Sequence, residues 1–349
     1  MRVRDDGAIH GLPGVDVEVT GLAEEASVGG AKEHGLPLGG NARATVAPPV
    51  SLKRMTDHAE LLQEGIRAER LGVLDRAVEL FGRVARDARD PDVTSDAFSR
   101  LANVHRLRCD WNEAIAAAHS AQRIAREARL PLREHEALNA EAGVLMERGD
   151  LASAMPLFER IVQESSDDRL RGLGQQNIGS LHARLGRLDE AEQAFASSVM
   201  SFERAGYQRG LAIALNNQGR AALDRGDAES AEQLLRRAVR AARQVHDEEL
   251  ASQAMVNLAA AVLERGDVQV AEDFVATALG HFRESGNQYR EIECLRLLGR
   301  IGGITGGGVR SNGCYARALQ VARRIGAAEE VLSIEAEMRA LGLEVVPEA

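Results

Sequence analysis

The sequence is short of aromatic side chains: one Trp, three Tyr and seven Phe stand among 349 residues. A core built without them must rely on Ala, Leu, Val and Ile, which suits closely packed helices better than a sheet of large β-branched and aromatic residues. Lysine is almost missing, with Lys32 and Lys53 alone, and arginine in its place reflects coding bias rather than a binding code. Three scattered cysteines, Cys109, Cys294 and Cys314, make no disulfide framework and fit a reducing compartment. No apolar run approaches the roughly 18 residues of a membrane span. Met1 to Asp6 carries positive charge with no apolar stretch behind it, so no signal peptide is expected and the cytoplasm is the expected location. Positive charge is also outweighed, the net being −10 at neutral pH with a pI near 5.5. That balance argues against nucleic acid as the main partner, because phosphate binding needs a positive field.

What the chain does have is a period. An alanine recurs at Ala77, Ala114, Ala154, Ala191, Ala231 and Ala271, closing with Ser311, in steps of 37 or 40 residues. Five residues before each stands a turn residue: Gly72, Cys109, Gly149, Gly186, Gly226, Gly266 and Gly306. Four residues after it stands Phe81, Ala118, Phe158, Phe195, Leu235, Val275 or Tyr315, and Trp111 is a candidate to fill the space left at Ala118. Repeats of this length signal a solenoid, in which a supersecondary unit cannot bury its apolar face alone and stacks on its neighbours.

Each unit reads as helix, tight turn, helix. Glycine after the first helix allows the left-handed backbone that ends it, and Asp150, Asp189, Asp227 and Asp267 are placed to cap the second helix. The alanine marks the closest crossing, where a larger side chain overpacks. The expected domains are a flexible Gly/Pro-rich segment over 1–50, a repeat domain over 51–326, and a capping helix with tail over 327–349. The head holds nine of the 34 glycines and four of the eight prolines, with one alternating run from Val15 to Val19.

The pattern resembles the tetratricopeptide repeat. Leu101-Ala102, Ile178-Gly179, Gln218-Gly219, Leu258-Ala259 and Leu298-Gly299 match its first helix, and Ala121, Ala238, Ala278 and Ala318 close its second. The unit length is similar to the longer variety in MalT-type bacterial regulators, kinesin light chain and the LGN/Pins scaffold. The resemblance implies an all-α, right-handed superhelical solenoid of about seven hairpins plus a capping helix. Two departures stand out: the usual aromatics early in the first helix are small or aliphatic, and the seventh unit, Gly302 to Gly308, is degenerate. That glycine run lacks a following Lys-Ser/Thr and occupies the repeat's turn, so it is a loosened hairpin and not a phosphate loop.

A stack of this kind is expected to curve, placing its first helices on a long concave groove that would hold a protein or extended peptide. Asn177, Asn217 and Asn257 recur there, with Gln176, Asn216 and Asn139 one residue earlier in their own units. An amide both donates and accepts, which suits the backbone of an extended peptide, and in related peptide-binding repeats an asparagine at the corresponding place holds the ligand. The alternative is that these amides join neighbouring helices. Arg184, Arg220, Arg296 and Arg300 share the face and suit an acidic side chain or a C-terminal carboxylate; Glu147, Asp224 and Glu264 make it mixed in sign. His105 and Cys109 lack further ligands at metal spacing, no catalytic motif is present, and no metal or cofactor is expected. The functional expectation is a non-catalytic scaffold for a protein or peptide. Its alternatives are a peptide-responsive sensor acting on a separate effector, autoinhibited by its own head, and an accessory subunit of a biosynthetic or secretion system. The sequence does not fix the oligomeric state.

Overall fold

The computed structural model describes residues 50–344, with side chains from His58 onward. All but the last residue of the expected flexible head, the Val15 to Val19 run and the last five residues lie outside the described residues. Fifteen helices and no strand occur among the described residues, and these divide into two compact units at Ser165 and Ser166. The N-terminal unit holds α1 (Val50–Arg70), α2 (Leu74–Asp87), α3 (Pro91–Leu107), α4 (Trp111–Glu127), α5 (Pro131–Glu147) and α6 (Leu151–Glu164). The C-terminal unit holds α7 (Asp168–Arg184), α8 (Leu188–Ala205), α9 (Gln208–Asp224), α10 (Ala228–Gln244), α11 (Glu248–Glu264), α12 (Val268–Ser285), α13 (Gln288–Ile304), α14 (Gly308–Arg324) and α15 (Ala328–Ala340). Odd-numbered helices are first helices and even-numbered ones second helices, so seven hairpins precede the single α15.

The turns follow the expected chemistry. Every residue of the turn series has positive φ, from 60° at Cys109 to 93° at Gly266. Cys109 is the one member with a side chain, and an L-residue in that region is strained by its Cβ. Capping is less uniform. Asp150 and Asp227 accept from the backbone N–H of Ser153 and Ser230, both at 3.1 Å, whereas Asp267 makes no side-chain cap and Asp189 lies inside the first turn of α8. A second left-handed series, Arg129, Gly206, His246, Gly286 and Gly326, closes second helices. It is hard to find in the sequence because two of its members are not glycine. Ala88 and Ser165 end α2 and α6 in extended backbone instead.

Packing explains the period. The alanine series is fully buried and Ser311 nearly so, and Phe81, Phe158, Phe195, Leu235, Val275 and Tyr315 are buried four residues on. These large side chains press on the first helix of their own hairpin. A Cβ added to Gly65 would lie 2.5 Å from the Phe81 ring, one on Gly179 2.7 Å from Phe195, one on Gly219 2.6 Å from Leu235, and one on Gly299 2.6 Å from Tyr315. Where the first-helix position is Ala102 or Ala259, the partner position holds the smaller Ala118 or Val275; Ala142 with Phe158 departs from this size matching. Trp111 opens α4 only half-buried, so a buried indole does not fill the place of Ala118.

Within the C-terminal unit, α7, α9, α11 and α13 touch one another in order, and no comparable contact joins the second helices. The first helices therefore form the tighter layer. The N-terminal unit repeats this arrangement with α1, α3 and α5.

Candidate functional site

Of the ten residues expected to contact a ligand, Asn139 belongs to α5 in the N-terminal unit and nine belong to the C-terminal unit. Those nine fall on α7 (Gln176, Asn177, Arg184), α9 (Asn216, Asn217, Arg220), α11 (Asn257) and α13 (Arg296, Arg300). Asn139, Gln176, Asn177, Asn216 and Asn217 are buried, with at most 5% of their surface exposed. Asn257 is half-buried, and its Nδ2 donates to Asn216 Oδ1 at 2.9 Å. One rung of the amide ladder thus joins α9 to α11.

Arg296 is also engaged within the chain. Its guanidinium donates to Glu330 at 2.8 Å, to Ser333 Oγ at 3.1 Å, and to Glu337, all on α15. The nearby Tyr315 phenol is pushed up to about 12 by burial and by the Glu337 carboxylate. Arg220 is half-buried beside Asp224, whose carboxyl is raised by burial against the lowering effect of Arg220. Arg184 and Arg300 are exposed.

Ties between consecutive first helices recur at a separation of 41 residues. Besides Asn216 with Asn257, Arg106 on α3 donates to Glu147 on α5, and Arg133 on α5 donates to Asp92 on α3 at 2.8 Å. A single residue type repeated at one register position does not show them. Complementary types one period plus one residue apart are the signal that reveals these ties.

The N-terminal unit holds the most desolvated charges. Asp96 and Glu136 occupy equivalent positions on α3 and α5; Arg100 bonds Asp96 at 3.0 Å, and Arg133 bonds Glu136 at 2.8 Å. Burial pushes the Glu136 carboxyl up to about 7, with Arg133 opposing and Asp96 adding to the rise. Asp92 is held below the usual carboxylate range by its hydrogen bonds from Arg133. The arrangement is an ion-pair lattice between α3 and α5.

His105 Nδ1 lies 3.2 Å from Asp110 Oδ2. Among the described residues no cluster of three or more His, Cys, Asp or Glu could hold a metal ion, and no helix is long and apolar enough to cross a membrane.

Comparison with known proteins agrees with the geometry. Two tetratricopeptide-repeat family profiles match, one over residues 170–244 and the other over 115–169 and 216–288. No curated protein matches the chain. Among solved structures, the apo form of the quorum sensor NprR from B. thuringiensis is similar, with 14% identity and a TM-score of 0.61 over 78% of this chain and 80% of that one. A Rap protein complexed with Competence and Sporulation Factor shows 14% identity and a TM-score of 0.58, covering 80% of each chain. BtubC (BKLC) from P. vanneervenii shows 22% identity and a TM-score of 0.53 over 61% of this chain and 92% of that one. With hairpins of this register and profiles reading the stretch from 115 to 288, that stretch is built of tetratricopeptide repeats.

Proposed function

We propose that the protein is a non-catalytic binding module for an extended peptide, held on the first-helix layer of the C-terminal unit. The observation that carries this reading is the placement of Arg220 and Arg300. They occupy equivalent positions on α9 and α13, half-buried and exposed, with Asn257 on α11 between them. Two interhelical steps of about 8–10 Å each separate the arginines, a span of about 16–20 Å. An extended strand covers that in about five or six residues at roughly 3.3 Å each. The ligand is therefore a short peptide with acidic groups near both ends, one of which can be its C-terminal carboxylate, held by charge-assisted hydrogen bonds. Of the amide ladder, Asn257 is the member with exposed surface to offer; the buried amides serve the layer beneath.

Two similar folds belong to proteins described as a quorum sensor and as a Rap protein complexed with Competence and Sporulation Factor. They favour, as a second reading, a sensor whose peptide acts on a separate effector. Removing residues 1–50 separates the two. Tighter peptide capture supports a self-docked sensor, and unchanged capture a plain scaffold.

The test is selection of peptides from a random heptapeptide library on the full chain, followed by calorimetry with Arg220→Ala and Arg300→Ala. Loss of a charge-assisted bond is worth about 1.5–3 kcal/mol, so each variant is expected to weaken binding at least tenfold with helical content unchanged. Selected peptides without acidic enrichment, or variants that bind as the parent does, refute the reading.

A further inference from the structure

Among the described residues α15 is the last helix, a first helix by register with no second helix packed on it. By repeat register Leu332 of α15 stands where α7 has Gly172, α9 Ala212, α11 Ser252 and α13 Ile292, and Arg339 stands where α7 has Gly179. In α7 those positions face α8, since a Cβ on Gly172 would meet Phe202 and one on Gly179 would meet Phe195. Ala212, Ser252 and Ile292 are at most 1% exposed, whereas Leu332 is 67% exposed. The opposite face of α15 is occupied: Ile334 and Met338 are buried, Glu330, Ser333 and Glu337 meet Arg296 of α13, and Glu335 meets Arg323 of α14.

What remains outward is one stripe, Ala328, Glu329, Leu332, Ala336, Arg339 and Ala340, every member exposed, with Arg339 also donating to Glu335 on its own helix at 2.9 Å. The spacing is that of a coiled-coil seam, and its centre is apolar. The two ends carry opposite charges at equal distances from the level of Ile334. When the stripe is laid against itself antiparallel about a two-fold axis at that level, every position finds a complement. Leu332 of one copy meets Ala336 of the other, Glu329 meets Arg339, and Ala328 meets Ala340. Leucine against alanine fills without clash, and each Glu–Arg pair occurs twice. The parallel arrangement sets like charges together and lacks this match.

We propose that α15 is a self-pairing helix, through which two copies of this chain associate isologously and antiparallel. The partner it selects is a second copy because the stripe complements itself in both size and sign. A single short helix buries less than the standard interface of about 1,600 Å², so the dimer is weak and depends on concentration.

Sedimentation velocity on the full chain, from about 1 to 300 µM, tests this across the range of weak affinities. A monomer–dimer equilibrium is expected, and Leu332→Glu, at an exposed position that leaves the fold intact by circular dichroism, is expected to abolish it. Glu329→Arg alone and Arg339→Glu alone each place like charges together and should raise the dissociation constant about five- to tenfold; the two changes combined should restore it. A monomer at every concentration, a dimer indifferent to Leu332→Glu, or a double reversal that fails to recover overturns the proposal.

Discussion

Gly179 and the Phe195 ring are so close that the glycine's missing Cβ is the space the ring occupies. Sequence periodicity shows that a small residue is needed there, and the structure adds that its size is set against one partner. Gly179→Ala should therefore destabilise the protein by about 1–3 kcal/mol through overpacking. Phe195→Val alone should destabilise it by leaving a cavity. Together they reproduce the Ala259 and Val275 pair two repeats on, so the double variant should be more stable than the sum of the single effects predicts. Denaturant melts of the four proteins give the coupling energy; additive effects would refute the size-matching account. At the turn, Gly186 has a φ of 71° with open space around it, so Gly186→Ala is costly through backbone strain alone, by about 1–2 kcal/mol.

Helix order, hairpin number and turn positions were legible because each is set by local chemistry: a left-handed glycine, a buried alanine, an apolar residue four places on. The role of the asparagines was not. Asn216 and Asn217 are neighbours in sequence and differ by about 100° in direction around the helix. Whether such a direction meets ligand or the next helix depends on how closely first helices approach, which no single repeat encodes. Asn257 shows the consequence, since its amide is committed to Asn216 while part of its surface stays exposed. Arg296 shows it again: a residue expected to face a ligand pins α15 to α13. Arg296→Met keeps much of the stem packing and removes the donors, leaving Glu330 and Glu337 without their cation. Hydrogen exchange in α15 should accelerate by about tenfold or more, the loss of roughly one charge-assisted bond, while α9 and α11 exchange as before. Unchanged protection in α15 would show that Ile334 and Met338 alone hold the helix.

In a stack of hairpins stability is the sum of local terms and nearest-neighbour terms, so a perturbation is felt by the helices that pack on it and fades along the chain. The ion-pair lattice of α3 and α5 makes this testable with pH. Folding raises the Glu136 carboxyl from its ordinary value of 4.5 to about 7, so between those values the folded state binds more protons than the unfolded one. The contribution is fully present below about pH 4.5 and is lost as pH rises towards 7. Asp92 has the opposite sign: its lowered value gives stability that is present above 3.8 and lost in more acid solution. The N-terminal unit should consequently be most protected near pH 4 to 5, and its amides on α3 to α6 should exchange faster, after correction for the intrinsic rate, as pH rises to 7.5. Glu136→Gln retains the shape without the charge and should flatten that rise, while α11 to α14, which belong to the other compact unit, should respond to neither change. A pH response shared equally by α3 and α13, or one that survives Glu136→Gln, would mean that the desolvated carboxylate is not its source.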